Sequence, residues 1–157
     1  MKSVSAPKPK LLNSPLNPSG GIGLFTDGSA WSGDKSGGWA WIAIDAFDGE
    51  AQDSGYEHDT TNNRMEMLAW VEGLGSILDS FGACDVLVYS DSEYVGLGAM
   101  DRGRGRVKNC DLWERIDTLI DSHRYVEFIH VRGHDGHPFN ERVDALAGLT
   151  RRSGPIR

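Results

Sequence analysis

The chain has 157 residues, of which 39% are hydrophobic and 25% are charged, a balance that suits one globular domain and excludes disorder throughout. The formal net charge of −7 argues against an ordinary basic nucleic-acid-binding domain, although it leaves room for local phosphate contacts. No apolar run approaches the ~20 residues of a membrane span, so no membrane partner is expected.

Three strands are predicted before the first helix. Residues 23–26 form a short apolar run that ends at Asp27-Gly28, which indicates a strand with an acid at its C-terminal end. Residues 37–47 are rich in aromatic and β-branched side chains, and the Asp48-Gly49 pair that follows is a strong hairpin signal. Residues 51–59 are therefore expected to return as an antiparallel strand.

The rest of the chain alternates between helical and strand patterns. Apolar side chains recur at helical spacing over residues 62–80, where Asn62 or Asn63 can cap the helix. The next elements are predicted as a buried parallel strand at residues 85–90, a short helix at 92–99, a helix at 110–123, a strand at 125–131, and a last helix that Asn140 can cap and that carries Asp144 in its second turn. This order, β-β-β-α-β-α-α-β-α, predicts an α/β fold with a mixed five-stranded sheet and helices on both faces.

The ends of the chain differ in composition from its middle. Four prolines interrupt residues 1–21, which end in Gly20-Gly21, and we expect a flexible N-terminal tail there. The folded domain is then expected over residues 22–152, with a short C-terminal tail over residues 153–157.

The two cysteines indicate a compartment. Cys84 and Cys110 are too few for a disulfide framework, and no apolar secretory segment opens the chain. We therefore expect reduced thiols and a cytoplasmic protein, and we expect it to be a monomer.

Four acidic residues in separate segments carry the chemical signal. Asp27, Glu66, Asp91 and Asp144 each fall at an element end or on a helix face, where a side chain can point to a common centre. Clustered carboxylates stay ionised together only when cations neutralise them, and hard oxygen ligands favour Mg²⁺ or Mn²⁺. Two such ions close together are the usual machinery for cutting or joining phosphodiesters.

Five motifs, in order, resemble those of type 1 ribonuclease H. The resemblance covers about residues 23–150 and rests on Thr-Asp-Gly-Ser at 26–29, Thr-Asn-Asn-Arg-Met-Glu at 61–66, Ser-Asp-Ser-Glu-Tyr-Val at 90–95, Lys-Asn-Cys-Asp-Leu-Trp at 108–113, and Gly-His-Asp-Gly-His-Pro-Phe-Asn-Glu-Arg-Val-Asp at 133–144. It implies the RNase H-like fold, with three antiparallel strands followed by two parallel ones.

The resemblance also implies an activity and its catalytic residues. The family hydrolyses the RNA strand of RNA–DNA hybrids and leaves 5′-phosphate and 3′-hydroxyl ends. Asp27, Glu66, Asp91 and Asp144 match the residues that hold two Mg²⁺ ions, for which Mn²⁺ is expected to substitute, and Asp27 would bridge both ions. His134 matches a loop histidine that assists proton transfer or product release.

Substrate-binding positions follow from the same motifs. Contacts to the RNA strand are implied for Gly28, Ser29, Asn62 and Asn63, and a contact to a DNA-strand phosphate for Thr61. Glu93 would lie beside the metals and the RNA strand. A short basic segment supplies the remaining expected hybrid contacts, at Arg104, Arg106 and Lys108.

The chain departs from the family pattern at three places. The family's asparagine in the DNA-phosphate pocket falls on Gly33, for which Lys35 is a candidate substitute. The long basic helix and loop of many members is reduced to residues 96–109, and a position that is often glutamine is Glu93.

These departures keep two alternatives open. One is a hybrid-binding module whose nuclease activity is weak or depends on a partner. The other is a different two-metal nuclease on a related fold, such as a DNA resolvase or a proofreading exonuclease, which the motif strings argue against.

Overall fold

The computed structural model describes residues 15–103, 105–132 and 136–154. Its elements follow the predicted order. They are a short 3₁₀ helix at Pro18–Gly20, then β1 (Ile22–Ala30), β2 (Gly37–Ile44), β3 (Glu50–Glu57), α1 (Asn62–Phe81), β4 (Asp85–Ser90), α2 (Glu93–Met100), α3 (Cys110–Ser122), β5 (Tyr125–His130) and α4 (Pro138–Ser153).

The five strands form one mixed sheet in the order β3-β2-β1-β4-β5. The first three strands pair antiparallel, while β1 pairs parallel with β4 and β4 pairs parallel with β5. The predicted fold class is therefore confirmed, including the three antiparallel strands followed by two parallel ones.

Strand β1 is longer than its sequence pattern predicted. Asp27-Gly28 looked like the end of the strand, yet the strand continues to Ala30 because β2 pairs with it all the way, from Gly23 opposite Ile44 to Ala30 opposite Gly37. The pairing with β4 stops earlier, at Phe25. Asp27 therefore lies where β1 has left β4 but still has β2 as a neighbour.

Helices cover both faces of the sheet. On one face, α1 packs on β1 and β2, and residues of α2 and α3 complete a core around Leu24, Met65, Trp70 and Trp113. On the other face, α4 packs on β1, β2 and β3, and Phe25, Ala40, Ile42, Val143 and Ala147 form a smaller core.

Two predicted helix caps are wrong. The N-cap of α1 is Thr61, whose hydroxyl accepts a hydrogen bond from the N–H of Arg64, so neither Asn62 nor Asn63 caps it. Helix α4 begins at Pro138 after His137, and Asn140 is buried inside its first turn. The fixed φ of proline suits the first helical position and starts the helix earlier than an asparagine cap would.

The segment before β1 is attached to the domain where the structure describes it. The N–H of Asn17 donates to Asp45 Oδ2, and Leu16 packs against the main core. Residues 1–14 of the predicted tail lie outside the described residues.

Two further sequence-based expectations concern thiols and membranes. Cys84 is buried, Cys110 is exposed, and both are free thiols. Among the described helices, none is long and apolar enough to span a bilayer.

Candidate active site

Strand alternation places Asp27 under α4. Side chains of a strand point alternately to its two faces, so Asp27 shares a face with Phe25, which packs on Val143 and Ala147 of α4. Helix α4 can approach closely because Gly38 has no side chain; a Cβ there would lie 2.4 Å from the carbonyl oxygen of Ala147. Asp27 is consequently buried, with 4% of its surface exposed.

The parallel register brings Asp91 to the same place. Phe25 of β1 lies opposite Tyr89 of β4, and two residues further along each chain come Asp27 and Asp91. Asp91 follows β4 directly, and Ser92 then caps α2 by accepting from the N–H of Val95. The end of one strand and the start of a helix thus hold this carboxylate at the sheet edge.

Gly28 brings Glu66 to the cluster from the other face. A Cβ on Gly28 would lie 2.3 Å from the backbone nitrogen of Glu66 and 2.3 Å from the carbonyl carbon of Met65. The first turn of α1 therefore rests directly on the β1 backbone. Only glycine permits this approach, and the approach sets the distance between Glu66 and Asp27.

Three of the predicted acids form a compact group. Asp27, Glu66 and Asp91 each offer a carboxylate oxygen, and these oxygens lie within 4.8 Å of one another. Asp144 stands beside this group on the more exposed side, where its carboxyl hydrogen-bonds Asp27. The structure thus brings all four predicted carboxylates to one edge of the sheet, three of them tightly.

The electrostatics of the metal-free group are unfavourable. Burial raises the pKa of Asp27 to about 8, and the hydrogen bond to Asp144 and the charge of Asp91 add to the increase. Burial also raises the pKa of Glu66 well above its usual value, with Asp27 and Asp91 contributing through their charges. These carboxyls resist ionisation unless a positive charge joins them.

The donor set fits a hard divalent cation. Glu66 is half-buried, yet its Oε1 is fully buried and has no hydrogen-bond partner among the described residues. An orphaned carboxylate oxygen that faces two other carboxylates is the chemistry expected of an oxygen-ligand metal site.

The predicted RNA-strand positions surround the start of α1. The side-chain oxygen of Asn62 accepts a hydrogen bond of 2.6 Å from the N–H of Ala30, which links α1 to the end of β1. Asn63 and Thr61 are exposed and Ser29 is half-buried. These side chains form a polar rim beside the carboxylates.

One cation of the basic segment, Arg106, is engaged inside the protein. Arg106 donates two hydrogen bonds to Asp117 and two to the carbonyl of Gly98, and its guanidinium lies 4.5 Å from the centre of the Trp113 ring. The structure therefore gives Arg106 an internal role in place of the free cation that the sequence suggested. Lys108 is exposed.

Other predicted site residues are placed less directly. Glu93 is the first residue of α2, is exposed, and lies 3.9 Å from His130. Arg104 and His134 lie outside the described residues. His137, three residues after His134, packs its ring against Phe25.

Sequence reasoning missed a clamp that sets α1 against α3. Arg64 donates to both carboxylate oxygens of Asp111, at 3.1 and 2.8 Å, and to the side chain of Asn109. Arg64 lowers the pKa of Asp111 to about 2 through this hydrogen bonding. Arg64 lies in the motif at 61–66 and Asp111 in the motif at 108–113, and this was the sequence signal that could have revealed their pairing.

Comparisons with known proteins agree with this geometry. The RNase H family model matches residues 20–151. A ribonuclease H of Cupriavidus pinatubonensis is 40% identical over 136 residues, which cover 79% of this chain and 90% of the relative. One of Paramagnetospirillum magneticum is 40% identical over 158 residues and 92% of each chain.

Solved structures share the fold. RNase H1 of Halobacterium salinarum superposes with a TM-score of 0.71 at 23% identity, covering 85% of this chain and 98% of its own. LC11-RNase H1, solved in complex with an RNA/DNA hybrid, superposes with a TM-score of 0.71 at 22% identity, covering 84% of this chain and 97% of its own. The family match and the 40% identical relatives place the chain, which shares the fold of these structures, in the ribonuclease H family of hydrolases.

Proposed function

We propose that this chain hydrolyses the RNA strand of RNA–DNA hybrids and leaves 5′-phosphate and 3′-hydroxyl ends. The observation that carries the proposal is the group of Asp27, Glu66 and Asp91, whose oxygens lie within 4.8 Å of one another at the sheet edge, with Asp144 against Asp27. A relative in fold was solved with an RNA/DNA hybrid bound, which supports the substrate class.

The four carboxylates would hold two divalent cations. Asp27 is the most buried of the four acids and interacts with Asp91 and Asp144, so it would be the central ligand. Bound Mg²⁺ or Mn²⁺ would neutralise the cluster and supply the Lewis-acid chemistry that activates water and stabilises the leaving 3′ oxygen. Asp91 and Glu66 would complete the ligand set, the latter through Oε1, which accepts no hydrogen bond from the part of the chain that the structure describes.

The polar rim would select and orient the substrate. Ser29, Asn62 and Asn63 offer hydroxyl and amide groups next to the carboxylates, and such groups can pair with the 2′-hydroxyls that distinguish RNA from DNA. Thr61, whose hydroxyl can still donate while it caps α1, and Lys108 are exposed and can meet phosphates. His134 is proposed to assist proton transfer.

The test is cleavage of one labelled hybrid with Mg²⁺, with Mn²⁺ and with EDTA, beside single-stranded RNA, double-stranded RNA and double-stranded DNA. We expect metal-dependent cutting of the hybrid's RNA strand alone, and loss of at least ~10³-fold in rate for Asp27→Asn or Asp91→Asn. Full activity in both variants would refute the assigned ligands, and cutting of the DNA duplex would favour a different two-metal nuclease.

One observation favours a second candidate, a hybrid-binding module with weak or partner-dependent cleavage. Arg106 of the short basic segment pairs with Asp117, and the neighbouring Arg102 pairs with Asp117 and Asp121, so both cations are already neutralised within the chain. This candidate predicts salt-sensitive hybrid binding with negligible turnover of the isolated protein even in Mn²⁺. Multiple turnovers by the purified chain would exclude it.

A further inference from the structure

Trp31 is unlike the other tryptophans of this chain. The sequence has five, and Trp39, Trp41, Trp70 and Trp113 are all at least 92% buried. Trp31 is 56% exposed. Single exposed apolar residues are common on protein surfaces, so exposure alone says little about function.

The backbone around Trp31 is held in place on both sides. The N–H of Trp31 donates to the carbonyl of Ser36, and the N–H of Lys35 donates back to the carbonyl of Trp31. The loop is joined to the segment before α1, because the N–H of Thr60 donates to the carbonyl of Lys35. The N–H of Ala30, the residue before Trp31, is bound by Asn62.

The indole of Trp31 packs closely against the backbone of Gly33. A Cβ at this position would lie 2.8 to 3.0 Å from three carbons of the Trp31 ring, so the ring rests on the glycine backbone. The loop therefore presents a large apolar ring outward in a fixed place. An indole that is exposed and also preorganised has the features of a contact residue, since little conformational entropy is lost when a ligand covers it.

The position of Trp31 relates it to the carboxylates. It directly follows β1 and lies four residues after Asp27, on the order of 13 Å in an extended chain. One strand of a nucleic-acid duplex advances about 3.4 Å per nucleotide, so this separation corresponds to about four nucleotides from the cut site. Lys35, in the same loop, is exposed and forms no ion pair within the described part of the chain.

We propose, on the basis of the proposed function, that Trp31 is a substrate-contact residue. Its indole packs against a deoxyribose of the DNA strand, and Lys35 lies at a neighbouring phosphate. Base faces in a duplex are already stacked, so a protruding indole meets sugars. A ribose offers a 2′-hydroxyl that an indole face cannot satisfy, whereas deoxyribose offers an apolar C2′ methylene. The contact would therefore favour DNA at this place in the hybrid.

Fluorescence provides a readout apart from activity. Because the other four tryptophans are buried, quenching by acrylamide reports mainly on Trp31. We expect hybrid binding to the inactive Asp27→Asn variant to protect the fluorescence from acrylamide, and we expect Trp31→Phe to lose most of the quenchable signal. No protection at saturating hybrid would overturn the proposal.

Kinetics supply the second readout. We expect Trp31→Ala to raise KM about fivefold with kcat nearly unchanged, and Trp31→Phe to restore most of the loss. The control is Phe47→Ala: Phe47 is 57% exposed in the β2–β3 turn, at the opposite end of the sheet. A Trp31→Ala variant that lost thermal stability together with kcat, and kept its KM, would show a purely structural role.

A chimeric substrate tests the choice of strand. Ribonucleotides are placed in the DNA strand about four nucleotides from the cut site, on either side. Wild type is expected to bind one of these chimeras less tightly than the plain hybrid, and Trp31→Ala is expected to bind that chimera and the plain hybrid equally well. Equal losses of affinity in both proteins would overturn the deoxyribose contact. If wild type did not cut the plain hybrid at all, the proposed function would fail, which is distinct from either result.

Discussion

Without a metal ion, the surroundings of the Asp27 carboxyl favour its neutral, protonated form. It is buried, it hydrogen-bonds Asp144, and its pKa is raised to about 8, so the metal-free fold holds it largely protonated at neutral pH. The unfolded chain, in which the same carboxyl ionises near pH 3.8, is favoured by that difference. The residue that catalysis needs most is thus a source of instability in the metal-free protein.

Replacing Asp27 by Asn is therefore expected to stabilise the metal-free protein. Asparagine has the shape of the protonated acid and avoids the free-energy cost of protonating the carboxyl on folding. Asp27→Asn should therefore raise the free energy of unfolding by about 2 kcal/mol at pH 7. Urea unfolding in EDTA measures this. Asp79→Asn, on the exposed surface of α1, serves as the control and should change little. A destabilised Asp27→Asn would contradict the account.

Arg106 is expected to matter for stability more than for substrate binding. Its guanidinium donates to Asp117 and to the Gly98 carbonyl and lies on Trp113, so Arg106→Ala removes both of these interactions and leaves Asp117 with its weaker pair to Arg102. We expect a loss of about 2–3 kcal/mol in the free energy of unfolding. Hybrid affinity, measured at fixed salt below the unfolding transition, should stay within about twofold.

Lys108 provides the matched comparison for Arg106. It lies two residues away, is exposed, and is predicted to meet a phosphate. Lys108→Ala should leave stability within about 0.5 kcal/mol of wild type and reduce the salt dependence of hybrid binding. The reverse pattern, with weak binding from Arg106→Ala and instability from Lys108→Ala, would show that the two roles have been exchanged.

At the scale of elements, the contact between β1 and α1 sets the site. Gly28→Ala would place a methyl group 2.3 Å from the Glu66 nitrogen, and the first turn of α1 must move away to relieve the overlap. We expect a stability loss of about 1–3 kcal/mol and, because Glu66 moves with the helix, a fall in kcat of at least ~10²-fold. Thermal unfolding and the hybrid cleavage assay together measure both effects.

Gly75→Ala is the control for that substitution. Gly75 lies within α1, and its nearest neighbour would be a Leu119 methyl at 3.9 Å, so alanine has room. Higher helix propensity should then stabilise the protein by about 0.5–1 kcal/mol with cleavage unchanged. If Gly28→Ala behaved like Gly75→Ala, the close approach would have no part in positioning Glu66.

The order and type of the elements could be predicted because local patterns were strong. The apolar run of β4 and the helical spacing of α1 and α3 depend on burial of one face or both, which periodicity expresses directly. The end of β1 could not be predicted, because Asp27-Gly28 is also a good turn and only the pairing with β2 extends the strand to Ala30. The cap at Thr61 was missed because two asparagines next to it suit a cap as well.

The candidate site was predictable to a different extent at each residue. The four acids were found because carboxylates in separate motifs have few structural reasons to converge, and the structure brings them together. The pairing of Arg106 with Asp117 could not be predicted, because a guanidinium suits a phosphate and a carboxylate equally well and the choice depends on where α3 lies. Trp31 was passed over because exposure cannot be read from a single tryptophan.

For the whole molecule, the carboxylate cluster predicts how stability depends on pH. Asp27 and Glu66 both have pKa values raised on folding, so the folded state binds more protons than the unfolded state. For Asp27 the window runs from about pH 4 to about pH 8. Stability from these groups is present at low pH and declines as pH rises through that window, by up to ~1.4 kcal/mol per pH unit for each proton. Acids whose pKa is lowered by arginine, such as Asp111 and Asp121, act below this window.

Mg²⁺ should reverse this decline, because it binds the ionised carboxylates of the folded state. We expect the unfolding temperature in EDTA to fall from pH 5 to pH 8, and the stabilisation by Mg²⁺ to grow over the same range. Asp27→Asn removes the main titrating group, so its profile in EDTA should be flatter and its response to Mg²⁺ weaker. Wild type whose unfolding temperature in EDTA rose over this range would show that these carboxyls ionise without a cation, and that the site does not depend on metal for its charge balance.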